Sequence, residues 1–160
     1  MKKLVSFLMI FCLLIGPANL TRGAESPNCR QLENIFKTGV KQEDGICRLE
    51  FIRKNIPVSN LGVQLLPETI ELAFGANFQQ AGNQSVVIGE FALLVPEVNR
   101  VIDALRKGNI EVSAVHNHMI GENPQIIYLH FQGRGDTEAL AATVKAAIGA
   151  ASSAGTLKLN

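Results

Sequence analysis

All three histidines of the chain lie within fifteen residues, at His116, His118 and His130. Imidazole changes charge near neutral pH and is the commonest protein metal ligand, so such clustering beside acids points to a site. His116 and His118 are two residues apart, which on a strand sends both side chains to the same side, and Glu122 follows after Gly121. Two imidazoles and a carboxylate are the protein ligands of an open zinc, iron or manganese site, so His116, His118 and Glu122 form a metal-binding hypothesis. Glu90 is a further candidate, an acid inside residues 85–94, which are otherwise apolar on both faces. There a carboxylate is costly unless it is paired, protonated or bound to a cation. His130 alternates with Ile126, Tyr128 and Gln132, and only the hairpin register decides whether that face is the one holding the other histidines.

Plainer readings stand beside these. His116 as a core histidine, Asn117 and His118 as the start of a solvated turn, and Glu122 as a loop acid would explain the same letters. Proton transfer or ligand binding without metal would use the same five residues. The spacing HxH followed by Glu overlaps half of a cupin motif, but two well-formed helices interrupt the strands, which an all-β jelly roll does not predict.

The elements that must position these groups can be read from periodicity. Leu32, Ile35 and Phe36 recur at helical spacing after Cys29, with Gly39 as terminator. Residues 46–54 alternate, with Cys47, Leu49 and Phe51 on one face. A short strand is expected at 63–66, and another through Ile70, Leu72, Phe74 and Phe78, before a turn at Gly82-Asn83. Residues 85–94 read as a central strand because both faces are apolar. Pro96 and Glu97 open a helix closed by Arg106, Lys107 and Gly108. Ile110, Val112, Ala114, His116 and His118 then fall on one face of a strand, 126–132 forms its neighbour, and Asp136 caps a helix carrying Leu140, Val144 and Ile148. A last strand is expected at 156–159. The order gives a ferredoxin-like βαββα(β) core preceded by a helix and two or three further strands. The class is α+β, a mostly antiparallel sheet with helices on one face.

Residues 1–24 read as a secretory signal peptide: Lys2 and Lys3 precede an apolar run from Leu4 to Ile15 that is too short to span a bilayer. Cys12 would leave with it. Residues 25–160 then form one domain that is secreted or periplasmic, with no transmembrane segment in the mature chain. The formal charge of +1 becomes −1 without the two lysines, so no basic footprint for nucleic acid remains. Cys29 and Cys47 make an even count in an oxidising compartment, which favours a disulfide over two buried thiols.

Gly89-Glu90-Phe91-Ala92-Leu93-Leu94, Glu97-Val98-Asn99, Ala114-Val115-His116-Asn117-His118-Met119, Glu122, Pro124, Tyr128, His130, Gly133 and Gly135-Asp136 together resemble the bacterial LppY/LpqO family, an exported domain of unknown function. The resemblance is specific over 85–148 and weaker over 30–84. It implies an exported or lipid-anchored envelope protein and carries no catalytic residues with it. Relatives often hold two copies, where this chain has room for one, and often a tryptophan, where this chain has none.

Function is therefore expected to centre on His116, His118 and Glu122, with Glu90 and His130 as neighbours. They would bind a small ligand or a divalent metal such as zinc, iron or manganese. An enzyme working through a bound water or one imidazole on a small polar substrate is the alternative. A structural module forming a homodimer is the third.

Overall fold

The computed structural model describes residues 28–152. The signal segment 1–24 with Cys12, and the strand expected at 156–159, lie outside the described residues.

Six strands form one wholly antiparallel sheet: β1 (Lys41–Glu43), β2 (Ile46–Ile52), β5 (Ala73–Ala81), β6 (Gln84–Leu94), β7 (Glu111–Asn117) and β8 (Ile126–Gly135), in the order β1-β2-β5-β6-β8-β7. β3 (Val58–Asn60) and β4 (Val63–Leu65) form a separate hairpin. Helices α1 (Cys29–Phe36), α2 (Val98–Lys107) and α3 (Thr137–Ser152) complete the chain. This is α+β, as the periodicity predicts. The segment β6-α2-β7-β8-α3 is the split βαβ unit, with β8 lying between β6 and β7. β5 occupies the far side of β6 through a two-residue turn in which Gly82 takes a φ of +70°.

The helices cover one face. Leu32 and Phe36 of α1, Val101 and Leu105 of α2, and Leu140, Val144 and Ile148 of α3 pack on Leu49, Phe78, Val87, Phe91, Leu129 and Phe131 of the sheet. Phe91 sits edge-on to both Phe74 (4.9 Å between centroids) and Phe131 (4.8 Å), each pair adding about 0.5–1.5 kcal/mol beyond simple burial. Gly89 lies beneath Phe131, where an added Cβ would stand 2.1 Å from the ring. Asp136 caps α3, accepting the Ala139 N–H on its side chain (3.0 Å). A disulfide joins Cys29 of α1 to Cys47 of β2.

The opposite face is only partly covered. The segment holding the β3–β4 hairpin lies over one end of it, burying Ile56, Val58, Ile70 and Leu72 against Ala92, Ile126 and Tyr128. Ile70 and Leu72 precede β5 rather than belonging to it; they alternate like strand residues but pack in this second cluster, while Phe74 packs under the helices. α1 also ends earlier than Gly39, with Lys37 in the left-handed region.

Candidate functional site

β7 carries the decisive irregularity. Val112 pairs with Phe131 and Ala114 pairs with His130, so Ser113 is an extra residue, a β-bulge. Simple alternation would put Ile110, Val112, Ala114, His116 and His118 on one face. The bulge splits the set: Ile110 and Val112 pack toward the helices, whereas Ala114 and His116 share the opposite face with His130 and Tyr128. The registers Glu90↔His130 and His130↔Ala114 bring Glu90 onto the same face.

The five candidate residues separate into two groups. In the first, His116 Nε2 lies 2.9 Å from His130 Nε2, which lies 3.1 Å from Glu90 Oε2. The His116 and His130 rings are stacked, with centroids 5.1 Å apart, and His116 Nδ1 is 3.0 Å from the Asn117 carbonyl oxygen. Glu90 is not the buried acid that its apolar strand suggests: its side chain is 38 % exposed, because the hairpin stops short of it.

In the second group, the His118 Nδ1–H donates to Glu122 Oε2 (2.9 Å). The Glu122 side chain is completely buried, and its other oxygen accepts the backbone N–H of Ile126 (2.9 Å) and of Met119 (3.3 Å). Glu122 thus closes the 118–126 loop from inside and fixes one edge of the His118 ring. The ring lies over Tyr128, with centroids 4.4 Å apart, and its Nε2 has no protein partner among the described residues. The Tyr128 hydroxyl donates toward the carbonyls of Ile70 (2.8 Å) and Glu71 (2.9 Å). Burial, then the charges of Glu90, Glu71 and Glu122, push the phenol well above its ordinary value.

Beside the first group the uncovered sheet forms a groove of about 550 Å³, lined by residues including Glu50, Glu71, Gly75, Asn77, Glu90 and His130. Gly75 stands between Glu50 and Glu90 in the cross-strand row and keeps the floor low. As the side chains stand, no three His, Cys, Asp or Glu among the described residues enclose a metal position. The trio His116, His118 and Glu122 does not converge, since Glu122 and His118 are turned to each other while His116 meets His130.

Glu97 shows what spacing misses. It begins as a first-turn helix acid, yet it is buried and pairs bidentately with Arg53 (2.7 and 2.8 Å) while accepting the Leu94 N–H (2.7 Å). Arg53 also donates to the Ala92 carbonyl (2.7 Å) and lies over the Phe74 ring. This pair ties β2 to the start of α2 and is architectural.

The fold and site define a domain in which His116, His130 and Glu90 meet on the bare half of a sheet, while Glu122 holds His118 from inside the loop after β7. The chain belongs to the family described as Domain of Unknown Function (DUF1259), whose model matches residues 30–150. No curated protein and no solved structure matches it.

Proposed function

We propose that this is an exported envelope domain that binds a small ligand or metal ion on the uncovered sheet face, through His116, His130 and Glu90 with His118 beside them. The observation that carries the reading is the cluster of His116, His130 and Glu90 on the uncovered face, with His130 and Glu90 lining an open groove. Three such groups on a solvent-facing surface are not needed to hold a sheet together. Export is supported by the Cys29–Cys47 disulfide, since reducing compartments keep such thiols apart. No helix among the described residues is long and apolar enough to cross a membrane. The LppY/LpqO resemblance fits the same reading.

A second reading has its own observation. A buried carboxylate holding one imidazole nitrogen while the other is left without a protein partner is the arrangement of a general base. In that case His118 Nε2 would take a proton from a substrate or water bound against it, and Glu122 would orient the ring.

The test is thermal melting of the chain with divalent metals and a panel of small amines, carboxylates and sugars, against a His116→Ala/His130→Ala variant. A ligand that raises the Tm of the parent and leaves the variant unmoved supports binding at this face. If nothing shifts the parent, or parent and variant shift alike, the proposal is lost.

A further inference from the structure

Building on the reading that the open face binds a ligand, we infer that His116, His130 and Glu90 are the ligand set of a divalent transition-metal ion. His118 and Glu122 lie outside that set. His116 Nδ1 is 3.0 Å from the Asn117 carbonyl oxygen, which only accepts, so the proton of the neutral ring sits on Nδ1 and Nε2 presents a lone pair. A backbone carbonyl holding Nδ1–H is also the arrangement that orients metal-binding imidazoles.

That lone pair faces His130 Nε2 at 2.9 Å, and the same nitrogen faces Glu90 Oε2 at 3.1 Å. One imidazole nitrogen carries at most one proton, so a single hydrogen has to serve two acceptors. A divalent cation satisfies all three groups at once, with the His130 proton moved to Nδ1. Around a tetrahedral ion at about 2.0–2.1 Å, ligand atoms stand roughly 3.3 Å apart, so both contacts need to open by only a few tenths of an ångström. His130 lies between the other two, so closure requires His116 and Glu90 to swing about their side-chain bonds. Both reach solvent on the uncovered face, and His116 can shift along the His130 and Tyr128 rings it stacks against.

The charge of the surroundings agrees. Glu50 and Glu71 line the groove with Glu90, and of the two basic residues there, Arg48 is paired with Glu43 (3.2 Å). Two imidazoles and one carboxylate suit zinc, iron(II) and manganese(II), with zinc the tightest of these at a given site. Glu122 is unsuited to the role, because its two oxygens already accept three hydrogen bonds inside the protein.

The experiment is calorimetric titration of zinc into the full chain, expressed without a metal-binding tag and stripped of metal, with manganese and ferrous iron in parallel. Uptake of one zinc per chain is expected, weakened by at least about 10–100-fold in His130→Ala and in Glu90→Gln, since losing a ligand costs no less than losing the group that orients one; the latter is a near-isosteric change that protects the fold. Asp103→Asn, an exposed position of α2 on the other side of the sheet, should leave the affinity unchanged, and circular dichroism checks that each variant is folded. Loss in His118→Ala with retention in His130→Ala would overturn the assignment. If zinc, manganese and iron all fail while an organic compound still gives a melting shift dependent on His116 and His130, the metal inference falls and the binding reading stands. If neither binds, both fall.

Discussion

Glu122 offers the sharpest test of how the loop after β7 is built. Truncation to alanine removes the acceptor of the Ile126 N–H (2.9 Å), of the weaker Met119 N–H (3.3 Å) and of the His118 ring (2.9 Å). An unsatisfied buried donor costs about 1–3 kcal/mol. Ile126 is fully buried and takes the middle of that range, about 2 kcal/mol, while His118, 18 % exposed, recovers part of its loss from water and adds about 1 kcal/mol. The expected loss for Glu122→Ala is therefore about 3 kcal/mol, or roughly 10 °C in Tm for a domain of this size. Glu122→Gln separates shape from charge. Its carbonyl can keep the backbone N–H groups while its NH₂ donates to His118, which then has to move its own proton from Nδ1 to Nε2. The cost falls to about 1 kcal/mol, the difference between a charged and a neutral hydrogen bond. Urea denaturation reads the stability, and the ¹⁵N shifts of the His118 ring read the tautomer: Nδ1–H in the parent and Nε2–H in the glutamine variant. A Glu122→Ala loss below about 1 kcal/mol, or an unchanged tautomer in Glu122→Gln, would show that this carboxylate does not organise the loop.

Removing Arg53 alone leaves the Glu97 carboxylate buried without its counter-charge, so Arg53→Ala should destabilise by about 3–5 kcal/mol in denaturant. Arg53→Met combined with Glu97→Met should recover most of that, and equal losses in the single and double variants would refute the pairing argument. Tyr128 is the only tyrosine in the chain, so phenolate absorbance near 295 nm reports it alone. Its folded-state value lies above the unfolded value of about 10, so the stability it contributes is whole below pH 10 and is lost as pH rises beyond. Phenolate should appear only together with alkaline unfolding, and a titration near pH 10 in the folded protein would contradict this. Deleting Ser113 removes the bulge and turns either the histidines or Val112 to the wrong face. The deletion should abolish ligand- or metal-induced melting shifts or unfold the domain, and retention of both fold and binding would show that the bulge does not aim the site.

Much of the architecture was legible because local rules and tertiary structure agree. Residues 85–94 are apolar on both faces, and β6 is an interior strand buried at one end on both sides. Pro96 marks the start of the helical segment and Gly108 its end. Alternation failed at Ser113, since the letters from Ile110 to His118 fit one unbroken face and nothing local signals an extra residue. It failed again in the grouping of site residues. Spacing favours Glu122 as the partner of His116 because it is near in sequence, whereas strand register supplies Glu90 and His130 from β6 and β8. The burial of Glu97 was hidden for the same reason, because its partner Arg53 is 44 residues away.

The β3–β4 hairpin adds no strand to the main sheet, yet Ser59 and Asn123 exchange two backbone hydrogen bonds (2.8 and 2.9 Å) that fasten it to the loop carrying Glu122. The cover over Ala92, Ile126 and Tyr128 is thus written in a different stretch of chain from the strands that carry Glu90, His116 and His130. Lengthening or recomposing the hairpin would change how much of this face is covered without touching the pairing of β6, β8 and β7. The extent of the open face and the scaffold beneath it can thus vary independently.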